Sequence, residues 1–349
     1  MPKWFRRGIS WLWAGVIFAL VIILIVKERA GIFAALPFLR QANYWFLAAL
    51  AGLEVIYFLF QAFAVKILYR LYNRSAKVLP VTAMLFQSTM LNEILPTSGA
   101  SGTAGFIYWG ERLGLSIRDS VGVTIWLTAL TYIALLPIVA ICIRTIGLLP
   151  KSQSRLITGA LESAFWFSIA LIVVLIALYR YTVRNTNEFH DLPMENQSRI
   201  RYYIKLRISK ITAWLRQAFV SYTKGEIGKE LRMAKAHPWA LVSSAALLTA
   251  IYAVRVLMLE LSFVALHTPL SLLTATYVYA LTLLFSVVSL APTTLGVVEV
   301  ALTATLGWFG VPLPIAVAGT ILYRVASFWL PIPVGLVSQW YLSYLAHSI

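Results

Sequence analysis

The stretch LNEILPTSGASGTAG, residues 91–105, breaks an apolar region of the chain with a proline, three glycines and several hydroxyl side chains. The stretch APTTLGVVE, residues 291–299, breaks a second apolar region in the same way. Proline and glycine interrupt helices, so each region is predicted to form two half-helices. The halves are too short to cross a bilayer comfortably, because a spanning helix needs about 20 apolar residues.

The composition around these breaks is that of an integral membrane protein. Of the 349 residues, 60% are hydrophobic and 12% are charged, and the mean hydropathy is +0.81. Soluble domains average about 45–50% apolar and about 25% charged residues, so lipid is the expected solvent. Six runs are long enough to span the hydrocarbon, and the broken regions 79–110 and 271–311 lie between them. The predicted spans are roughly 9–26, 44–65, 120–147, 157–178, 239–266 and 313–337.

Several landmarks recur at an offset of about 195 residues. They are the Pro-Thr pairs Pro96-Thr97 and Pro292-Thr293, the Leu-Gly pairs Leu113-Gly114 and Leu306-Gly307, and the Leu-Pro pairs Leu136-Pro137 and Leu330-Pro331. The sequence therefore predicts an all-α, polytopic helical bundle with two repeats, at about 43–147 and 239–345, each containing a re-entrant helical hairpin. An odd number of crossings separates the repeats, so they are expected to be inverted, as in many transporters.

The charge pattern predicts the orientation. The net charge is +16, from 29 basic and 13 acidic residues, and it lies in short loops between apolar runs. This follows the positive-inside rule and argues against nucleic acid as a partner. The loop 180–237 carries twelve Lys/Arg and five Asp/Glu and is expected in the cytoplasm, as is the basic N-terminus. Both termini are thus predicted to be cytoplasmic in a multi-pass protein of the cell inner (plasma) membrane.

Within this loop, apolar residues recur at helical spacing over 199–222, with basic residues between them. The pattern indicates an amphipathic helix on the bilayer surface or a solvated connector. Cys142 is the only cysteine, and the four histidines are dispersed. No disulfide, metal site or cofactor is therefore expected.

Three motifs carry a resemblance to a known family. The stretches APTTLGVVE at 291–299, GVP at 310–312 and LYRVASFWLPIP at 322–333 resemble the membrane region of lysyl-phosphatidylglycerol synthases, which includes the flippase domain of MprF proteins. Asn92, Pro96 and the glycines of LNEILPTSGASGTAG are similar to that family's first re-entrant motif. The resemblance covers about 40–345 and implies a lipid-flippase-like fold and possible lipid translocation. The chain ends at Ile349, soon after the last span, so the soluble lysine-transferring domain and its activity are not expected.

Charges inside spans are functional candidates, because each costs about 2.5–3.5 kcal/mol at the bilayer centre on insertion scales. Glu299 follows the second break, and Arg324 lies about halfway along the final span. We expect these two side chains to lie near each other. Their pairing serves either packing or substrate binding, and both interpretations stay open.

Three further charges lie in the second and fifth of the six predicted spans. Arg255 and Glu260 are five residues apart, so they do not share a helix face well, and separate partners or a cavity wall are expected. Arg255 is predicted to bind a lipid phosphate, because a guanidinium makes bidentate bonds to phosphate oxygens. Glu54 and Glu260 are predicted to relay protons or cations. For Glu54 the alternative is a polar contact within the bundle.

The hydroxyl and amide side chains of the breaks complete the predicted substrate site. Asn92, Thr97 and Thr293 are expected to contact a headgroup together with the charged candidates; alternatively, the hydroxyls satisfy the interrupted backbone. The predicted function is a flippase-like transporter that moves a phosphate-bearing lipid, a phospholipid or a polyprenyl phosphate, between leaflets. Its partners would be membrane lipids, anionic ones in particular, with a homo-oligomer or a pathway protein also open.

Two other classes remain as alternatives. A non-transporting scaffold or accessory subunit of a lipid or cell-envelope pathway has no need of broken helices at membrane depth. An integral membrane transferase or protease needs catalytic motifs, and the chain contains no DxD, no HExxH and no G-x-S-x-G with a partner. The chain is therefore not expected to be an enzyme.

Overall fold

The structure is a computed structural model that describes residues 35–95, 99–145, 227–288 and 296–348, with isolated positions at 147, 155 and 158–159. The spans predicted at 9–26 and 157–178 and the amphipathic helix predicted at 199–222 lie outside these residues. The chain divides into two compact units, Met1–Ala164 with Val242–Ile349, and Phe165–Leu241.

Every regular element of the described ranges is helical. A short helix at 35–41 comes first. The long helices are α1 (Trp45–Leu71), α2 (Val78–Ile94), α3 (Ala100–Arg112), α4 (Ile117–Thr145), α5 (Ile227–Ala236), α6 (Pro238–Val264), α7 (Leu272–Val288), α8 (Val297–Trp308), α9 (Leu313–Arg324) and α10 (Pro331–Ser348). A π-helical turn at Val325–Trp329 joins α9 to α10. The predicted loop 180–237 therefore contains one described helix, α5, which belongs to the smaller unit.

Four helical segments of the described ranges are long and apolar enough to cross a membrane: Trp45–Leu71, Ile117–Thr145, Pro238–Val264 and Leu313–His347. They match the spans predicted at 44–65, 120–147, 239–266 and 313–337. The broken regions form shorter helices, α2 with α3 and α7 with α8, as their prolines and glycines predict. We call α2–α3 the first helix pair and α7–α8 the second helix pair.

Helix lengths and caps correspond between the two halves of the larger unit. Helices α1 and α6 each have 27 residues, α2 and α7 each have 17, and α3 and α8 have 13 and 12. Positive φ angles occur at matching places: Asn73 and His267 (55° and 58°), Gly99 and Gly296 (89° and 83°), and Gly114 and Gly310 (82° and 81°). Glycine adopts these angles without strain, and Asn and His are enriched there among other residues. The two halves therefore share local structure, but the counterpart of Gly114 is Gly310 and not Gly307 of the predicted Leu-Gly pair, and the Pro-Thr pairs lie outside the described residues.

The first helix pair is closed by side chains at its break. The Asn92 Oδ1 accepts a hydrogen bond from the Gly102 backbone N–H at 2.7 Å, and the Ser88 hydroxyl donates to the Gly102 carbonyl at 2.8 Å. Helix α10 packs closely on α2, since a Cβ at Gly335 would overlap Met90. Side-chain hydrogen bonds thus hold α2 and α3 together, and close packing holds α2 against α10.

Helix α6 is attached to its neighbours by hydroxyl groups. The Tyr252 hydroxyl donates to the Thr131 carbonyl of α4 at 3.1 Å, and the Ser244 hydroxyl donates to the Ala64 carbonyl of α1 at 3.4 Å. Such bonds from spans to neighbouring backbone suit a helix that packs away from water. They place α6 beside α1, where the first charged pair is found.

Candidate functional site

An arginine of α6 and a glutamate of α1 form a buried ion pair. The Arg255 Nη1 lies 2.5 Å from the Glu54 Oε2, and the Nη2 lies 3.1 Å from the Oε1. Glu54 is fully buried and Arg255 is 8% exposed. The Arg255 Cζ also lies 3.8 Å from the centroid of the Tyr57 ring, within cation–π range. We call Glu54, Tyr57 and Arg255 the first triad.

The first triad changes the interpretation of two predicted residues. Both terminal nitrogens of Arg255 bond to Glu54, so one bidentate edge of the guanidinium is used inside the protein, and the predicted contact of Arg255 with a lipid phosphate stays a prediction. Glu54 makes the polar contact within the bundle that was the alternative to a relay. The two residues are 201 positions apart in the chain, so the pair connects the two corresponding halves of the larger unit.

A second ion pair joins the second helix pair to α9. The Arg324 Nε donates to the Glu299 Oε1 at 2.7 Å, as their places in the motifs predicted. The Glu299 Oε2 accepts a hydrogen bond from the Gly296 backbone N–H at 2.7 Å. The Arg324 Cζ lies 4.2 Å from the centroid of the Phe328 ring. We call Glu299, Arg324 and Phe328 the second triad.

Local sequence explains how the second triad is positioned. Glu299 is the third residue of α8, from which a carboxylate reaches back to the N-cap N–H and also favours the positive end of the helix dipole. Pro331 has no N–H to donate, and before it the Leu330 N–H bonds to the Val325 carbonyl, five residues back, at 2.9 Å. This π-helical turn directly follows Arg324, and such turns are frequent at functional sites.

The arginines of both triads line one cavity of about 150 Å³. The other lining residues come from four helices and the π-helical turn: Glu93 (α2), Tyr279, Thr282 and Leu283 (α7), Val298 (α8), Tyr323 (α9) and Ser327 in the turn. The cavity therefore lies where the first helix pair, the second helix pair and the charged helices α6 and α9 approach one another.

Two polar groups of the cavity wall are buried without a hydrogen-bond partner among the described residues. They are the Nη2 of Arg324 and the hydroxyl of Ser327. Arg324 is 7% exposed and Ser327 is 9% exposed. A buried polar group left unsatisfied costs about 1–3 kcal/mol, and more if it is charged. A ligand with acceptor oxygens would recover that free energy by binding here.

Only some of the residues predicted to bind substrate or relay ions line this cavity. Arg255 and Arg324 line the cavity, while Asn92 bonds within the first helix pair and its substrate role stays a prediction. Glu260 is half-buried on α6, and none of the ion pairs between described residues includes it. Thr97 and Thr293 lie outside the described residues.

Sequence reasoning missed Glu93 and Ser327. A signal for Glu93 was present, because it is an acid inside an apolar region and adjoins Asn92 in the first break. Ser327 follows Arg324 by three residues, which puts both on one helix face. Tyr57 and Phe328 carried no signal among the many aromatic residues of the spans.

Apolar spans joined by shorter helices, with two ion pairs beside a cavity that both arginines line, define a polytopic helical membrane protein with a polar site among its helices. The family model of the lysylphosphatidylglycerol synthase TM region matches residues 11–335, so the chain belongs to that family. This confirms the resemblance drawn from the motifs. Neither the comparison with curated proteins nor the comparison with solved structures found a match.

Proposed function

We propose that this protein is a flippase-like transporter that receives the phosphate-bearing headgroup of a membrane lipid in the cavity. The hydrocarbon chains stay in the bilayer while the headgroup passes between leaflets. The observation that carries the proposal is the presence of two buried donors, the Arg324 Nη2 and the Ser327 hydroxyl, without a partner among the described residues. A phosphate can leave water only if protein groups replace its hydrogen bonds, and these donors are suited to that exchange.

The start of α8 borders the cavity, with the Glu299 carboxylate already at its positive end. Val298, in the first turn of α8, lines the cavity, and the N-terminal end of a helix carries a partial positive charge. Hydrogen bonds to charged groups contribute about 1.5–3 kcal/mol each. Because Glu299 holds that helix end, the Arg324 Nη2 is the charged donor left for an anionic group on this side of the cavity.

The movement we propose uses the corresponding halves of the larger unit. The first and second helix pairs are interpreted as re-entrant hairpins that enter from opposite faces of an inner (plasma) membrane. Broken helices are tolerated at membrane depth where they line a cavity, and rocking of one inverted repeat against the other would open that cavity to each leaflet. No covalent chemistry and no cofactor are part of this proposal.

The topology within the proposal places both termini and the loop 180–237 in the cytoplasm. In a Cys142→Ala background, single cysteines introduced at 148–156 should react with an impermeant thiol reagent applied to intact cells. Cysteines introduced at 180–237 should react only after the cells are opened. Reaction of the latter in intact cells would contradict the topology.

Transport is tested with purified protein in liposomes that contain headgroup-labelled phospholipids or polyprenyl phosphates. A membrane-impermeant quencher reports the fraction of label in the outer leaflet over time, with and without an ion gradient. The wild-type protein should equilibrate at least one of these lipids faster than protein-free vesicles do. Arg324→Lys should slow that exchange, because lysine keeps the charge but loses the planar fork.

Arg74→Lys is the matched control. The Arg74 Nε bonds to the Asp119 Oδ2 at 2.9 Å, which is the same single-bond geometry as in the second triad, but outside the cavity. Arg74→Lys should therefore transport like the wild-type protein. If no lipid moves faster than in protein-free vesicles and none binds, the scaffold or accessory-subunit function replaces the transporter.

A further inference from the structure

We infer that the hydroxyl groups of Tyr279 and Tyr323 are ligand donors of the cavity. Together with Arg324 and Ser327, they hold a phosphate group that carries a single negative charge. The inference rests on the proposed function and deepens it, because it selects the phosphodiester of a phospholipid over the phosphomonoester of a polyprenyl phosphate. We call Tyr279, Tyr323, Arg324 and Ser327 the donor set.

The two tyrosines differ from the other buried tyrosines in how their hydroxyls are used. The structure describes five buried tyrosines: Tyr69, Tyr252, Tyr277, Tyr279 and Tyr323. The hydroxyls of the first three make hydrogen bonds to α4 at 2.7–3.2 Å. None of the hydrogen bonds between described residues uses the other two hydroxyls, although a buried tyrosine hydroxyl usually has a partner. These two tyrosines are the ones that line the cavity.

Both hydroxyls are placed where a ligand in the cavity could reach them. Tyr279 is 7% exposed and Tyr323 is 4% exposed, but neither hydroxyl oxygen is fully enclosed by protein, so each is open to the cavity. The Tyr323 hydroxyl interacts electrostatically with Arg255 and Arg324, and the Tyr279 hydroxyl interacts with Arg255 and Tyr323. A tyrosine hydroxyl keeps its proton at neutral pH and can donate a hydrogen bond to a phosphate oxygen.

The donor set reaches the cavity from two helical elements. Tyr323 and Arg324 end α9, and Ser327 follows them in the π-helical turn. Residues three and four positions apart are neighbours on a helix surface, so these three donors share one side. Tyr279 adds a donor from α7. Donors on two elements suit the tetrahedral arrangement of phosphate oxygens.

The corresponding positions in the other half of the larger unit are apolar. Counted from the start of each helix, Tyr279 of α7 corresponds to Leu85 of α2, and Tyr323 of α9 corresponds to Leu127 of α4. The same register aligns the positive φ angles that precede these helices in the two halves. The helical framework therefore accepts leucine at both places, and the two hydroxyls are not needed to build it.

The charge of the cavity wall limits the charge of the ligand. Arg255 and Arg324 are the cations among the described lining residues, and they pair with Glu54 and Glu299. The three hydroxyl donors are neutral. A second negative charge on the ligand would need a cation that this wall does not provide, and an unpaired charge away from water is costly. A phosphodiester has one charge, whereas a phosphomonoester carries about 1.5–2 negative charges at neutral pH.

The first test replaces each tyrosine by phenylalanine, which removes only the hydroxyl, in the purified full chain in detergent micelles. Tyr279→Phe and Tyr323→Phe should each weaken the binding of phosphatidylmethanol about tenfold, since each loses a hydrogen bond to a charged group. Their thermal stability should stay at the wild-type level, because neither hydroxyl has a partner among the described residues. Wild-type affinity in either folded variant would overturn the donor set.

Tyr252→Phe is the matched control. The Tyr252 hydroxyl donates to the Thr131 carbonyl at 3.1 Å, and this residue is not part of the cavity lining. The control should bind lipid like the wild-type protein and unfold at a lower temperature. A loss of stability in the two cavity variants as large as that in Tyr252→Phe would assign their hydroxyls to packing and overturn the inference.

The second test compares phosphatidylmethanol with phosphatidic acid of identical acyl chains, which differ by one methyl group and one charge. Both compete against one labelled lipid at about pH 8.5, where the phosphomonoester carries close to two charges. Phosphatidylmethanol should bind about tenfold more tightly, and the difference should shrink at about pH 5, where phosphatidic acid has about one charge. Equal affinities at the higher pH, or tighter binding of phosphatidic acid, would overturn the selection for a single charge.

Two further arms separate this inference from the proposed function. Arg324→Lys should weaken both lipids; if it does so while the two phenylalanine variants bind normally, the transporter proposal stands and the present inference fails. If Arg324→Lys weakens neither lipid, the proposed phosphate site itself fails. Water-soluble dimethyl phosphate should compete only weakly, and equal competition would show that the ligand is a free phosphodiester instead of a lipid.

Discussion

Each triad joins a glutamate, an arginine and an aromatic ring, but the two arginines differ in how their donors are used. In the first triad, both terminal nitrogens of Arg255 bond to Glu54. In the second triad, Arg324 bonds to Glu299 through Nε, and its Nη2 is buried without a partner among the described residues. The comparison teaches that a charge inside a span is not by itself a ligand site. A ligand can bind such an arginine only through donors that the protein leaves without a partner.

The glutamates differ as well. The Glu54 side chain is fully buried between two spans, whereas that of Glu299 is 28% exposed and also holds the Gly296 N–H. Glu299 thus links Arg324 to the first turn of α8, next to the cavity. We therefore assign the first triad to the packing of α1 on α6 and the second to the proposed headgroup site. Three pairs of substitutions can break or sharpen this assignment.

The largest expected effect is on stability, from neutralising each glutamate. Glu54→Gln leaves the buried Arg255 without a counterion and should lower the free energy of unfolding by about 3–5 kcal/mol. Glu299→Gln keeps an amide oxygen that can accept from either Arg324 or the Gly296 N–H. It should lower the free energy of unfolding by about 1.5 kcal/mol. Thermal unfolding in detergent can be followed by a thiol-reactive dye at Cys142, the only cysteine and 2% exposed. Equal losses in the two variants would contradict the assignment.

An intermediate effect is expected from replacing each arginine by lysine. Arg255→Lys loses the bidentate geometry and should lower the free energy of unfolding by about 1–3 kcal/mol. Arg324→Lys can still pair with Glu299, so its stability should stay within about 1 kcal/mol of the wild-type protein while lipid binding weakens about tenfold. The same dye assay and a lipid competition assay measure both quantities. A larger stability loss in Arg324→Lys than in Arg255→Lys would reverse the two roles.

The smallest effect is expected from a single hydroxyl group. Ser327→Ala should weaken lipid binding about three- to tenfold without lowering stability, because this hydroxyl has no partner among the described residues. Ser262→Ala is the control on α6, where a fully buried hydroxyl donates to the Met258 carbonyl at 2.8 Å. That variant should bind lipid normally. Unchanged binding in Ser327→Ala would remove the hydroxyl from the proposed site.

Much of the architecture could be predicted because it depends on properties that are local along the chain. The described spans follow from apolar runs of sufficient length, and the two breaks follow from prolines and glycines that cannot continue a helix. The Glu299–Arg324 pair was also within reach. Its members are 25 residues apart and belong to consecutive helices, so few arrangements were available.

The tertiary structure alone decided how distant charges are shared. Glu54 and Arg255 are 201 residues apart, and no sequence pattern shows that α1 and α6 place them in contact. That contact uses both terminal nitrogens of Arg255, whereas the Arg324 Nη2 has no partner among the described residues, so of the two predicted substrate-binding arginines the proposal relies on Arg324. The cavity and the place of Glu93 in its wall likewise depend on several helices packing together, a property that no local stretch of sequence contains. The sequence determined which segments are helical and buried in lipid, because solvent transfer and backbone geometry act residue by residue. Only packing decided which polar groups remained for a ligand, because each one used inside the protein is lost to the site.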